Sequence, residues 1–148
     1  MNTINTLSVL IPVYNEEKTI EVVLDKVCSV QLLNDVKKEI IIVNDGSKDN
    51  SSSIINTYIE RHTDKNIRFI DHNINKGKGH AIKTAISAAS GEYLIIQDAD
   101  LEYDPEEFNL LLKPVVNNNA DVVYGSRFIG GKPHRILFFW HSIGNAFL

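Results

Sequence analysis

The sequence predicts an α/β fold, a mainly parallel sheet flanked by helices. Three observations carry that prediction. Short runs rich in Val, Ile and Leu alternate along the chain with longer segments of helical periodicity, the order that yields parallel strands joined by right-handed crossovers. The runs read as strands buried within a sheet rather than as half-exposed hairpins. Each run also stops at polar residues, at the carboxyl edge where open α/β sheets bind ligands.

Residues 7–13 form the first predicted strand, ended by Pro12-Val13-Tyr14-Asn15. Residues 16–30 follow as a helix, with Ile20, Val23, Leu24 and Val27 on one face. Residues 39–43 are the second strand, closed by Asn44-Asp45-Gly46-Ser47. Asp49 or Asn50 then caps a helix that runs to about Arg61, with Ile54, Ile55, Tyr58 and Ile59 inward. Residues 67–70 are the third strand. Residues 77–89 are a helix of small residues closed by Gly91, and residues 92–96 are the fourth strand. Residues 105–116 are helical with Pro105 in the first turn, and Pro114 is expected to bend or end that helix. Residues 120–124 read as a fifth strand.

At 148 residues the chain is one domain, or most of one. Its composition, 43% hydrophobic and 23% charged, is ordinary for a globular protein. No apolar run is long enough to span a bilayer, and the N-terminus lacks the basic start of a signal peptide. The single Cys28 sits among Val23, Leu24, Val27 and Val30 and reads as core. A reducing, cytoplasmic location is expected. The net charge of −4 is unevenly spread, because no acid follows Asp121 while Arg127, Lys132 and Arg135 do. The tail is therefore +3, and residues 136–148 are rich in large apolar side chains.

Several function classes are disfavoured. There is no Walker loop, and no G-x-G-x-x-G follows the first strand. A nucleotidyltransferase needs a basic, glycine-rich loop there, and Tyr14-Asn15-Glu16-Glu17 is acidic. The histidines at 62, 72, 80, 134 and 141 lack zinc spacing, and no basic stripe points to nucleic acid. No Ser/His/Asp or Cys/His pattern stands out.

The predicted strand ends gather the chemistry. Asp98, Asp100 and Glu102 follow the fourth strand, and an extended backbone would point all three the same way. Such crowding suits Mg²⁺ or Mn²⁺ carrying a substrate's phosphates; the alternative is a solvated acidic turn before a helix. Tyr14 either stacks on a base or packs. Asp45 either accepts a base N–H or caps its turn. The run Asn73 to His80 either approaches a diphosphate through its glycines, with Lys76 and Lys78 adding charge, or is a solvated turn. His80 is expected to be structural or solvent-facing.

Five segments occur in a telling order: Val9-Leu10-Ile11-Pro12-Val13-Tyr14-Asn15-Glu16, Ile42-Val43-Asn44-Asp45-Gly46-Ser47, Asn75-Lys76-Gly77-Lys78-Gly79, Asp98-Ala99-Asp100-Leu101-Glu102 and Gly125-Ser126-Arg127. In this order and spacing the chain resembles family 2 glycosyltransferases, most closely the dolichyl- or polyprenyl-phosphate sugar synthases. The resemblance implies a GT-A (Rossmann-like) fold and an inverting transferase that moves a hexose-type sugar from a UDP- or GDP-sugar to a polyprenyl phosphate. It implies that Pro12, Tyr14, Glu16 and Asp45 hold the nucleoside and that Lys78 and Gly79 line the donor loop. Asp98 would meet the ribose side, Asp100 and Glu102 would bind Mg²⁺ or Mn²⁺, and Arg127 with Arg135 would grip the acceptor phosphate. The catalytic set so implied is Asp98, Asp100 and Arg127. Related synthases often carry Gln where Glu102 stands.

Such enzymes continue past this point, so residues 1–148 are expected to form a single nucleotide-sugar-binding domain, incomplete on the acceptor side. A non-catalytic nucleotide-sugar-binding module is the alternative. The lack of a carboxylate after Asp121 suits a lipid phosphate, whose oxygen is already anionic and needs no general base. The basic, aromatic tail suggests a peripheral place on the inner membrane face. The sugar, the base and the oligomeric state are left open.

Overall fold

The computed structural model describes residues 4–117 and 119–125. Four strands form one parallel sheet: β1 (Thr6–Val13), β2 (Lys37–Asn44), β3 (Ile67–Asp71) and β4 (Tyr93–Ile96), in the order β3-β2-β1-β4. The helices are α1 (Ile20–Ser29), α2 (Ser51–Arg61), α3 (Lys78–Ala88) and α4 (Phe108–Val116). The chain steps outward through β2 and β3, then crosses back by α3 to place β4 on the far side of β1. That reversal opens a crevice at the carboxyl ends of β1 and β4, the usual ligand position in such sheets.

Alternation along β1 and β2 divides the core in two. Leu7, Val9, Ile11 and Val13 join Ile40 and Ile42 on one face, against Ile20, Leu24 and Val27 of α1, Ile55 and Tyr58 of α2, and Phe108 and Leu112 of α4. Leu10, Ile41 and Val43 face the other way and meet Ala81 and Ala85 of α3. Each fully buried Leu, Ile or Val contributes about 1.5–3 kcal/mol. A one-residue slip would exchange the two faces, so burial on both sides fixes the register.

At the amino edge of the sheet, Glu39 is only 6% exposed. Its carboxylate accepts hydrogen bonds from Ser8 Oγ at 2.6 Å, Ser90 N at 2.8 Å and Ser90 Oγ at 2.9 Å. Burial alone would raise the Glu39 pKa, but these donors outweigh it and hold the carboxyl below its usual range. Ser8 Oγ also accepts from Gly91 N at 2.9 Å. The clasp ties the α3–β4 connection to β1 and β2. Lys38, next along β2, donates to the carbonyls of Val27, Cys28 and Val30 and so caps the C-terminus of α1.

Several elements differ from the sequence expectation. The helix expected from residue 16 begins at Ile20, after a turn in which Thr19 N and Ile20 N donate to the Glu16 carbonyl. Asn50 holds the N-cap position of α2 without a side-chain bond to the helix's own backbone, while Asp49 Oδ1 accepts from Ser51 N at 3.0 Å. The helix α3 ends at Ala88, and Gly91 does not close it. Gly91 instead lets backbones approach, since a Cβ there would lie 2.6 Å from Ser8 Oγ and 2.8 Å from the Thr6 carbonyl. Pro114 does not end α4, which runs to Val116. Residues 120–124 form no strand. Val122 and Val123 line a cavity of about 310 Å³ with Leu7, Leu94, Leu111 and Val115, beside β4 and α4. An apolar run becomes a strand only by pairing, which periodicity does not report.

Candidate functional site

The loops after the four strands meet at the carboxyl edge. Those after β1 and β2 are laced together. Asn15 takes positive φ (56°), and its Oδ1 accepts from Lys48 N at 2.8 Å while its own N donates to Ser47 Oγ at 2.9 Å. Glu16 N donates to Ser51 Oγ and Glu17 N to Asp49 Oδ2. Glu17 Oε2 in turn accepts from Asn50 N and Nδ2, both at 3.0 Å. Burial raises the Asp49 carboxyl, but its donors Ser51 and Glu17 N outweigh that and leave it lowered. The lacing leaves Tyr14 43% exposed at the mouth of the site. Pro12 is half-buried at the end of β1, opposite Val43. Glu16 is half-buried too, and Thr19 Oγ1 donates to its Oε2 at 2.6 Å.

Asp45 is buried, and its carboxylate organises the loop before α3. It accepts from Lys76 N at 3.1 Å to each oxygen, from Gly77 N at 2.7 Å, and contacts His72 Nδ1 at 3.1 Å. Burial raises its pKa, while the His72 contact and the two backbone donors lower it further, leaving the carboxyl below its usual range. Beside the two sequence readings, a base contact or a turn cap, the geometry shows a further role. Asp45 holds a loop thirty residues away in sequence. Gly46, at φ 67°, makes the approach feasible, since a Cβ there would lie 2.6 Å from Asn75 N.

Lys78 opens α3 and reaches across to the end of β4. Its ammonium lies 2.7 Å from each oxygen of Asp98. Asp98 is largely buried, with its side chain 17% exposed, against 58% for Lys78. Asp98 Oδ1 is buried and accepts no hydrogen bond of good geometry among the described residues. Gly79 has open space where a Cβ would stand. His80 is exposed, as expected, and its ring is tilted 5.2 Å from that of His72.

The acidic stretch is a turn, the second of its two sequence readings, and not the extended backbone of the first. Leu101 takes φ 66°, and Glu102 N donates to Asp100 Oδ1 at 3.0 Å. Period-two alternation therefore fails after Asp98. Gln97, buried beneath the turn, holds it by donating to the carbonyls of Asp98 at 3.0 Å and Tyr103 at 3.1 Å. Asp100 and Glu102 are exposed. Among the described residues no three His, Cys, Asp or Glu side chains converge as a preformed cage. The donor set fits a cation held by one or two carboxylates and completed by substrate phosphates, the ordinary mode for Mg²⁺. Arg127 and Arg135 lie outside the described residues, as do residues 136–148.

Sequence reasoning passed over His72 and treated Gln97 only as part of the acidic stretch. Both act through partners distant in sequence or through backbone carbonyls, and neither forms a local pattern. No helix among the described residues is long and apolar enough to cross a membrane.

The parallel sheet flanked by helices, with acids and a glycine-rich loop at its carboxyl edge, is the GT-A fold of the glycosyltransferases it resembles in structure. The chain belongs to glycosyl transferase family 2, whose model matches residues 8–137. It is 35% identical over 131 residues to a dolichyl-phosphate beta-glucosyltransferase of Dictyostelium discoideum, covering 82% of this chain and 39% of that protein. It is 37% identical over 120 residues to an undecaprenyl-phosphate 4-deoxy-4-formamido-L-arabinose transferase of Yersinia pestis, covering 81% of this chain and 36% of that one. The chain thus spans well under half the length of these relatives. Among solved structures it resembles the mannosyltransferase PcManGT of Pyrobaculum calidifontis in complex with GDP-Man and Mn²⁺. That match has a TM-score of 0.60 and 30% identity, over 67% of this chain and 28% of that one. It also resembles glucosyl-3-phosphoglycerate synthase of Mycobacterium tuberculosis in complex with Mg²⁺ and UDP. There the TM-score is 0.59 and the identity 25%, over 76% of this chain and 40% of that one.

Proposed function

We infer that this chain is the donor-binding part of an inverting glycosyltransferase that moves a hexose-type sugar from a UDP- or GDP-sugar to a polyprenyl phosphate. The contact between Lys78 and Asp98 carries the reading. It brings the glycine-rich loop after β3 and the acidic turn after β4 within 2.7 Å, so that diphosphate-binding and cation-binding chemistry share one place. Pro12, Tyr14 and Glu16 face the nucleoside from the end of β1. Asp45 sets the loop that presents Lys78 and Gly79. Asp100, with Asp98 and Glu102 beside it, holds Mg²⁺ or Mn²⁺. A cation bound there would offset the charge that develops on the leaving diphosphate. Arg127 and Arg135 take the acceptor phosphate, for which the planar guanidinium fork is suited. The relatives named for dolichyl and undecaprenyl phosphates support that acceptor class. The basic, apolar tail supports a peripheral place at the inner membrane face.

The test is calorimetry with UDP-glucose, UDP-N-acetylglucosamine and GDP-mannose, each with and without Mn²⁺. One of them should bind, and Asp100→Asn should remove the dependence on the cation. Equal affinity with and without Mn²⁺ refutes the cation site. The second reading is a non-catalytic nucleotide-sugar-binding module. Radiolabelled donor separates the two, because binding without transfer to polyprenyl phosphate or water rules out turnover by this chain.

A further inference from the structure

The position of Lys78 is unusual for a loop that receives a diphosphate. Its ammonium is spent on Asp98, 2.7 Å from both oxygens. It also stands in the first turn of α3, a helix with no acid in that turn, where the helix dipole favours anions and disfavours a cation. Asp98 explains the arrangement. Its carboxylate is largely buried, and its Oδ1 accepts no hydrogen bond of good geometry among the described residues. A buried carboxylate needs a compensating charge, and Lys78 supplies it. The stem that carries the ammonium is long, and both flanking glycines have open space around them. The lysine can leave without disturbing the fold.

A divalent cation at Asp98 and Asp100 and the Lys78 ammonium on the same carboxylate would repel each other at contact distance. A diphosphate arriving with the cation offers the ammonium a new anion close by. We propose that Lys78 is the resident counter-ion of Asp98 and that donor binding exchanges it. The cation takes over the carboxylate while the ammonium swings to the diphosphate. Lys78 is then a positioning residue with two successive partners. It suppresses cation binding when no donor is present and supports donor binding when the cation is. This rests on the donor-site reading above.

The exchange predicts effects of opposite sign from one substitution. Lys78→Met should raise the affinity of the free 148-residue chain for Mn²⁺, read from the paramagnetic resonance signal of unbound Mn²⁺, by about tenfold. It should lower the affinity for UDP or GDP in saturating Mn²⁺ by about tenfold, the effect of losing one charge-assisted contact. Lys78→Arg keeps the charge and should stay near wild type in the Mn²⁺ measurement. Lys78→Arg should melt with wild type, whereas Lys78→Met should melt lower without a cation, because the largely buried Asp98 carboxylate loses its counter-ion. Added Mn²⁺ should narrow that gap, and a Lys78→Met chain that melts with wild type in the absence of Mn²⁺ would also count against the counter-ion role. If Lys78→Met binds Mn²⁺ no better than wild type while UDP or GDP still binds in a Mn²⁺-dependent way, the counter-ion role is wrong and the donor site stands. If Lys78→Arg gains Mn²⁺ affinity as Lys78→Met does, charge is not the cause and the proposal also fails. If neither nucleotide binds wild type in the presence of Mn²⁺, the donor-site reading falls and this inference falls with it.

Discussion

Replacing Asp45 by alanine should unsettle the loop after β3 before it affects any ligand contact. The carboxylate accepts from Lys76 N at 3.1 Å and Gly77 N at 2.7 Å and contacts His72 Nδ1 at 3.1 Å. Hydrogen bonds to a charged group contribute about 1.5–3 kcal/mol each, and a buried donor left unpaired costs about as much. Lys76 is exposed, so water can replace its acceptor, whereas Gly77 and His72 are half-buried. A net loss of about 3 kcal/mol follows. For a domain of this size that lowers the melting temperature by roughly 6–12 °C. Asp45→Asn retains one acceptor oxygen and should fall between alanine and wild type. Thermal melts at pH 7, followed by circular dichroism, measure the effect, and calorimetry with the nucleotide-sugar panel runs beside them. Donor affinity should fall in step with stability, because the loop presents Lys78 and Gly79. If Asp45→Ala melts within about 2 °C of wild type and still loses donor binding, the carboxylate serves a base directly and its loop contacts are incidental.

Three further outcomes follow from the geometry. Gly91→Ala drives a Cβ to 2.6 Å from Ser8 Oγ and should cost about 1–3 kcal/mol by overpacking, read as a lower urea midpoint; an unchanged midpoint would mean the clasp yields freely. Lys38→Met removes the cation that caps α1 and should cost about 1–2 kcal/mol in the same assay, and no loss would show that water satisfies those carbonyls. Stability should also depend on acid pH. Glu39, Asp45 and Asp49 are each held below their ordinary values of 4.5, 3.8 and 3.8 in the folded chain. Their contribution is complete above those values and is lost as pH falls through the lower folded ones. Urea midpoints should therefore hold from pH 7 to about 5 and drop below about 4. A Glu39→Gln chain should show a shallower drop, and an identical profile would remove Glu39 from the explanation.

The sheet was legible because β1 and β2 are buried on both faces and therefore spelled out in nearly unbroken apolar residues. Residues 120–124 spell the same thing without pairing, since pairing depends on a neighbour the run does not encode. The site was legible as a set of strand ends, and less so as geometry. The acidic turn is one of the two sequence readings, but its placing at Leu101 is not, because a leucine at positive φ carries no sequence signal. The sequence offers Asp45 a base contact or its own turn, and neither reading anticipates the contacts with His72, Lys76 and Gly77. Contacts across such separations leave no spacing to recognise. Arg127 and Arg135, read as acceptor ligands, lie outside the described residues and keep only their sequence argument.

The alanine seat of α3 has a consequence for engineering the loop after β3. Ala81 and Ala85 are fully buried against Leu10, Ile41 and Val43, and methyl side chains let the helix lie close to the sheet. The height of that seat sets how far the first residue of the helix stands from the end of β4. A larger side chain at either alanine would lift the helix as a rigid rod, and the reach of Lys78 would shift with it. The placing of Lys78 over the sheet edge is then adjustable from beneath the helix, by residues remote from it, much as a shim under one end of a lever moves the other.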